Sequence, residues 1–148
     1  LRGIWAALKP GGGARLRMVP SGPRKCLEEV IQDTTRGTRW APSFGESRPP
    51  FRHWTPDDYA ALARGCGFEV ETLECEDHSW DFGSREAFRA FARATFVEWT
   101  RRLPEPDRAD FIDEVLDRYT PVAASTPGGA HCFRFYQMDA VLRRPRGD

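Results

Sequence analysis

The feature that most restricts the fold is a change of hydrophobic period across residues 10–13, a proline followed by three glycines. Before this turn, apolar residues from Leu1 to Leu8 follow the i, i+3, i+4, i+7 spacing of an amphipathic helix. After it, apolar and charged side chains alternate from Ala14 to Val19, as in a strand with two different faces. The chain therefore opens on a helix end, a turn and a strand.

A second boundary lies around Thr55. Thr55 is a suitable helix N-cap, Pro56 suits the first helical position, and acidic residues follow in the first turn. Gly67 suits the left-handed backbone conformation that ends many helices. The pattern predicts a helix between these points, followed by a strand from Phe68 to Cys75.

The remaining chain combines helical stripes with one long loop. The spacing predicts helices over 23–31, 84–99 and 111–119, each with one apolar face, and a final strand over 132–143. Residues 37–54 show no period and hold several prolines and aromatic residues. They indicate a long loop anchored by its aromatic side chains, and such loops are often functional lids.

Composition narrows the class of protein. The 148 residues suffice for one domain with a sizeable core. No apolar run approaches the roughly 20 residues that span a bilayer, and no signal-peptide pattern opens the chain. The four cysteines have no C-x-x-C spacing. We therefore expect free, mostly buried thiols in a reducing cytoplasm, rather than disulfides or a zinc site.

Charge is unevenly distributed although the net charge is zero. Residues 1–55 carry ten Lys and Arg against four Asp and Glu, a net charge of +6, and the remainder carries −6. Either the two regions face each other, or the first third presents an anion-binding surface. Nucleic-acid binding is disfavoured, because the net charge is zero and no recognition motif is present.

Three segments of the chain resemble the C-terminal half of class I S-adenosylmethionine-dependent methyltransferases. The first is Leu1–Val19, with Leu-Lys-Pro-Gly-Gly at 8–12. The second is Trp54–Phe68, with a Thr-Pro-Asp-Asp helix start and a Gly-Phe turn, and the third is the final strand, Phe133–Pro145. Their order is most similar to that of small-molecule carboxyl methyltransferases of the trans-aconitate type.

The resemblance implies an α/β fold, the C-terminal half of a Rossmann-like methyltransferase domain with strands in the order 5-7-6, the last antiparallel, and flanking helices. It implies a single domain over 1–148, made of a helix end and fifth strand (1–20), an insert or lid (21–54), a crossover helix and sixth strand (55–76), a helical insert (77–130) and a seventh strand (131–145).

One departure from the family concerns Arg15 and Arg17, which fall in the expected fifth strand. Parallel central strands usually read as continuous apolar runs. We therefore expect either a sheet face that is partly open or an edge covered by a second copy of the chain.

The resemblance also implies S-adenosylmethionine as the methyl donor. The family's G-x-G-x-G turn and the acidic residue that holds the ribose are absent from the sequence. The glycines at 11–13 precede a strand instead of opening a helix, so they do not replace that turn. We expect no cofactor-binding residues in this chain, and interpret it as the acceptor-side fragment of a larger enzyme, inactive alone.

The acceptor site is the part of the family's machinery that this chain would contain. The family's acceptor pocket is walled by the two inserts, here 40–54 and 80–99. The predicted substrate-binding residues are Trp40, Phe44, Arg52, His53, Trp54, Trp80 and Phe82, with Arg48 as a further cation. The alternative is that the cations are solvated and the aromatic residues anchor the loop or fill the core.

Two of these residues bear on the acceptor's charge. Arg52 and His53 suit an acidic acceptor, because Arg binds a carboxylate through two parallel hydrogen bonds. A carboxylate nucleophile needs no base, and positioning with exclusion of water supplies much of the acceleration. No catalytic residue is therefore predicted.

Residues 76–81 gather several potential metal ligands but only one histidine. Structural metal sites need more matched ligands than this segment offers. We expect a solvated loop after the sixth strand and no metal site.

The sequence thus favours methyl transfer to a small acidic acceptor, by an enzyme of which this chain is one half. The alternative is a non-catalytic oligomerising or ligand-binding module derived from such a half. That alternative predicts a homodimer through the exposed sheet edge at Ala14–Val19 and no affinity for S-adenosylmethionine.

Overall fold

The structure is a computed structural model that describes residues 1–45, 48–124 and 129–147. Its elements, in chain order, are α1 (Arg2–Ala7), β1 (Gly13–Met18), α2 (Leu27–Thr35), α3 (Ala41–Phe44), α4 (Pro56–Gly65), β2 (Glu69–Asp81), α5 (Arg85–Thr95), α6 (Val97–Thr100), a 3-10 turn (Glu105–Asp107), α7 (Arg108–Ala123) and β3 (Cys132–Arg143).

The strands form one antiparallel sheet in the order β1–β3–β2, so the last strand is central. In the β1–β3 register, Leu16 lies opposite Ala140 and Arg17 opposite Asp139. β1 alternates because an antiparallel strand can keep one face in solvent. The two arginines of β1 therefore sit on its exposed face, where Arg15 and Arg17 both pair with the Asp139 carboxylate, at 3.3 and 3.1 Å.

The described residues divide into two compact units. Unit 1 comprises residues 1–23, 53–78 and 135–147. Unit 2 comprises the described parts of 24–52 and 79–134.

The core of unit 1 is small and lies against the sheet. Its buried residues are Tyr59, Ala63, Phe68, Met138, Ala140 and Leu142. The predicted Thr55 cap is confirmed, since its hydroxyl accepts a hydrogen bond from the Asp58 N–H at 3.1 Å. Gly67 adopts the predicted left-handed conformation, with φ of +94°. A Cβ there would also meet the Trp5 indole, at 3.0 Å.

The turn after α1 is tied to the end of β3. The Gly11 N–H donates to the Arg144 carbonyl at 2.8 Å. The Arg144 guanidinium donates back to the Trp5 and Leu8 carbonyls and lies 3.8 Å from the centre of the Trp5 ring. The chain's own atoms thus hold the turn in place.

The core of unit 2 is larger and rich in aromatic rings. Helix α7 supplies its centre, and α2 and α5 pack against that helix. Phe111, fully buried, contacts the rings of Trp40 and Phe44 at centroid distances of 5.2 and 5.5 Å. The Tyr119 hydroxyl donates to the Arg134 carbonyl at 2.8 Å and accepts from the Arg134 N–H at 3.0 Å. Burial raises the pKa of Tyr119 to about 12.

Several predicted boundaries are wrong. Residues 76–81 are not a loop: β2 continues to Asp81, because it pairs along the long β3. The helix predicted over 23–31 begins only at Leu27. Glu29 accepts the Cys26 N–H at 2.9 Å there, in a capping box. The predicted loop 37–54 also contains the short α3.

Two further expectations also need correction. The predicted helix over 84–99 does begin after a Ser84 cap, but it is interrupted at Phe96 between α5 and α6. The cysteines are not mostly buried. Cys26 is buried, Cys66 and Cys132 are half-buried and Cys75 is exposed; all four are free thiols.

Candidate ligand-binding site

A cavity of about 330 Å³ lies within unit 2 and is mostly apolar. Five of the described lining residues are aromatic: Phe51, Phe91, Phe96, Trp99 and Phe133. The remaining described lining residues are Leu27, Glu28, Ile31, Pro50, Thr95 and Glu98. The cavity is thus formed by α2, α5, α6, the segment before residue 52 and the first residues of β3.

Helical spacing explains how these side chains reach one cavity. Leu27 and Ile31 are four residues apart in α2, and Phe91 and Thr95 are four residues apart in α5, so each pair shares a helix face. The interruption at Phe96 changes the direction of the backbone between α5 and α6. Phe96 and Trp99 both line the cavity beside the α5 pair.

The aromatic lining forms two groups of rings. In the first, the Trp99 ring centre lies 6.3 Å from that of Phe51 and 6.4 Å from that of Phe96. In the second, Phe91 lies 5.4 Å from Phe133. Such distances are those of tilted and edge-to-face aromatic contacts, which favour a rigid wall.

The polar groups of the lining are few. Glu28 and Glu98 bring two carboxylates, and the Glu98 carboxylate forms an ion pair with Arg101 at 2.7 Å. The Trp99 side chain is only 8% exposed, and its indole Nε1–H has no acceptor within the described chain. Buried donors normally have a partner, so this indole N–H is an exception among the described residues.

The predicted site residues Trp40 and Phe44 lie in the core of unit 2. They are 2% and 6% exposed, and the Trp40 indole donates to the Glu114 carboxylate at 2.7 Å. Their rings pack on Phe111 instead of lining the cavity.

Phe82 and Trp80 also belong to unit 2. Phe82 stacks on Phe88 at 4.8 Å, whereas Trp80 is 63% exposed near the end of β2. Neither is among the described lining residues of the cavity.

The predicted cations do not lie in the cavity lining that the structure describes. Arg48 and Arg52 are exposed residues of unit 2. His53 and Trp54 belong to unit 1, where both are half-buried and Trp54 packs against the core. A substrate-binding role for the seven predicted residues stays a prediction.

Two segments singled out from the sequence contribute to this cavity, but the individual lining residues were not predicted. Phe51 lies inside the first insert, and Phe91, Phe96 and Trp99 lie inside the second. We interpreted the latter stripe as core. Its spacing, from Phe88 to Trp99, is that of one ordinary buried helix face, so nothing in the sequence distinguishes a cavity wall from a core here.

A second cavity, of about 540 Å³, lies within unit 1. It is lined at the end of β1 by Pro20, Ser21, Gly22 and Pro23, and beyond by Thr55, Pro56, Cys75, Asp77 and Tyr136. Its wall has one aromatic ring among the described residues, against five in unit 2, so the two cavities suit different ligands.

The glycines at 11–13 do not fit the nucleotide part of S-adenosylmethionine. A Cβ at Gly11 would meet the Arg146 side chain at 2.9 Å, and one at Gly12 would meet the Lys9 carbonyl at 2.8 Å. The space beside both glycines is therefore filled by the chain itself. Gly13 opens β1, so no helix N-terminus follows that would face a ligand's charged group.

The acidic segment 76–81 forms part of a strand, in which neighbouring side chains point to opposite faces. Glu76 and His78 share a face, with 3.1 Å between His78 Nε2 and the Glu76 carboxylate. The His78 ring stacks on Phe135 at 5.4 Å. The absence of a metal site stays a prediction.

Comparison with known proteins links the chain to one fold. A solved structure described as a candidate methyltransferase from Bacillus halodurans C-125 matches it with a TM-score of 0.53 and 16% sequence identity. The chain shares a methyltransferase fold. The match covers 97% of this chain and 56% of that protein, so the chain spans about half of its relative's length. No protein-family model and no curated protein matches the chain.

This likeness supports the methyltransferase fold but gives no support to the trans-aconitate type. Separately, none of the helices in the described ranges combines the length and the apolar character that crossing a bilayer requires.

Proposed function

We propose that this chain supplies the acceptor-binding part of an S-adenosylmethionine-dependent methyltransferase that acts on a small molecule. One observation carries the proposal: on a methyltransferase fold, both inserts contribute to the walls of a single aromatic cavity. A cavity of about 330 Å³ is within the usual range for small ligands.

The residues of the cavity would act by position. An apolar wall excludes water, and the tilted and edge-to-face rings of the lining restrict the orientation of a small acceptor. Methyl transfer depends on these two effects more than on acid or base groups, since the methyl group is already activated on the donor. The glycines at 11–13 do not fit the nucleotide part of the donor, so no step through it is assigned to them.

The charge of the acceptor has to be reconsidered. An acidic acceptor requires cations around it, and the described lining holds no Lys, Arg or His. The acidic acceptor therefore rests on Arg52 and His53 alone. It is not part of the function proposed for this cavity.

We also propose that β1, β2 and β3 correspond to the family's fifth, sixth and seventh strands. The order β1–β3–β2 supports this correspondence. We further propose that a partner strand or a second copy of the chain lies beside β1. The position of β1 at one edge of the described sheet supports this. Light scattering of the purified chain, at several concentrations, tests the homodimer.

The functional test is methyl transfer by the protein that the full reading frame encodes. It should move an isotopically labelled methyl group from S-adenosylmethionine to a small acceptor, and Phe91→Ala or Trp99→Ala should raise the KM for that acceptor. Transfer to no member of a broad panel of alcohols, amines and acids would contradict the proposal.

Calorimetry with S-adenosylmethionine also tests the alternative, a non-catalytic module. Both hypotheses predict no tight binding to residues 1–148. They separate on the full reading frame, which should bind the cofactor if it encodes an enzyme and should not if it encodes a module. Tight binding to residues 1–148 would refute the assignment of the cofactor site to other residues.

A further inference from the structure

The lining of the unit 2 cavity restricts the charge of the acceptor as well as its size. Its described charged groups are Glu28 and Glu98, both carboxylates. Two negative charges beside an apolar wall oppose an anion and attract a cation, although solvent screens Glu98, whose side chain is 50% exposed. The two carboxylates differ in their surroundings, since Glu98 is neutralised in part by Arg101 at 2.7 Å.

The aromatic rings act in the same direction. A cation near the face of a Trp or Phe ring is attracted by the ring's quadrupole, and Trp is the most favourable of these. Phe51, Phe96 and Trp99 form one group of rings in this wall, with centroid distances of 6.3 and 6.4 Å from Trp99. Aromatic rings bind ammonium groups in this way, and the two carboxylates of the lining add a direct charge attraction.

We infer that the cavity binds a small aromatic amine, held through its ring by Phe91 and Phe133 and through its ammonium group by Glu28 and the rings around Trp99. This inference rests on the proposed function, since it names the acceptor class of that same cavity. It does not require that the amine be methylated by this chain.

Calorimetry with three probes of similar shape tests the inference on residues 1–148. The probes are 2-phenylethylamine, 2-phenylethanol and 3-phenylpropionate, which carry a cation, a neutral hydroxyl and an anion on the same phenylethyl group. The amine should bind about tenfold more tightly than the acid, with the alcohol between them, as cation–π and carboxylate attraction predict.

Glu28→Gln keeps the side-chain shape and removes one charge, so it should reduce the amine's advantage over the acid at least threefold. The matched control is Glu86→Gln, at an exposed residue in the first turn of α5 outside the described lining. It should leave the ratio unchanged. Circular dichroism of both variants checks that they fold.

Equal binding of the three probes, or tighter binding of 3-phenylpropionate, would overturn the inference. An unchanged ratio in Glu28→Gln would do the same. Amine binding without methyl transfer by the full reading frame would leave the inference standing and refute the proposed function. Methyl transfer to an acid with no amine binding would refute the inference alone.

Discussion

Units 1 and 2 of this molecule use different means of stabilisation. Unit 1 covers a small apolar core with a sheet whose outer face carries ion pairs, such as Arg17 with Asp139 and Arg143 with Glu71. Unit 2 buries a network of aromatic rings around α7 and keeps a cavity beside it. The fold likeness covers 97% of the chain, whereas the ligand hypothesis rests on unit 2 alone.

This difference predicts that substitutions in the two units change the free energy of unfolding by different amounts. Exposed ion pairs contribute little to stability, typically 0 to about 1 kcal/mol, so the outer face of unit 1 tolerates change. A well-packed aromatic core is sensitive to the loss of single side chains. The predictions below separate the two units by the size of these effects.

The largest effect is expected for Phe111→Ala in unit 2. The side chain is fully buried between Trp40 and Phe44, and its removal leaves a cavity that should cost about 3–5 kcal/mol in the free energy of unfolding. Urea unfolding measures this value. The comparison variant, Arg17→Ala on the exposed face of β1, should cost less than about 1 kcal/mol. Similar losses in the two variants would remove the contrast between the units.

Tyr119→Phe should have the next largest effect. It removes a buried hydroxyl that both donates to and accepts from the Arg134 backbone, so both of these hydrogen bonds are lost. The expected loss is about 1–3 kcal/mol by chemical unfolding. A loss within experimental error would show that the hydroxyl contributes nothing and that ring packing alone holds β3 to α7.

Two helix caps, one in each unit, should behave alike. Thr55 accepts the Asp58 N–H and Ser84 accepts the Ala87 N–H, both at 3.1 Å. Thr55→Ala and Ser84→Ala should each cost about 1 kcal/mol of unfolding free energy. The controls Thr55→Ser and Ser84→Thr keep the oxygen and should cost little. A large difference between the two caps would mean that unit context outweighs the local capping interaction.

The smallest effect concerns pH and unit 1. Hydrogen bonds from Arg17, and then from Arg15, hold the pKa of Asp139 below its usual value. A lowered pKa in the folded state gives stability that is present above the unfolded-state pKa of about 3.9 and is lost as pH falls through the folded value.

Asp139→Asn should therefore flatten the acid side of the stability profile below about pH 4, measured as Tm against pH. The double variant Arg15→Gln, Arg17→Gln should flatten it in the same way. An unchanged profile in Asp139→Asn would exclude this carboxylate from the acid response.

Local rules predicted much of unit 1. Thr55, Pro56 and Gly67 define the start and end of α4 through interactions with their own neighbours in sequence, so they are readable from the sequence. The alternation of β1 was readable for the same reason. Its pairing with Asp139 was not, because that residue lies 122 positions away from Arg17.

Unit 2 was less predictable because aromatic residues suit both a core and a ligand wall. Trp40 and Phe51 belong to the same insert, yet Trp40 packs on Phe111 and Phe51 lines the cavity. Which of them faces the cavity depends on packing against α7, which is distant in the sequence. The residues next to Trp40 and Phe51 therefore do not reveal it. The end of β2 was missed for a similar reason, since its length follows from pairing with β3.

The central claim is that the acceptor binds in the cavity of unit 2. The most direct test is a ¹H–¹⁵N spectrum of the chain titrated with 2-phenylethylamine, followed at the indole N–H resonances of its five tryptophans. The account predicts that the Trp99 resonance shifts most, and that those of Trp5 and Trp54, in unit 1, stay in place. An unmoved Trp99 resonance at saturation, with shifts confined to residues of unit 1, would contradict it.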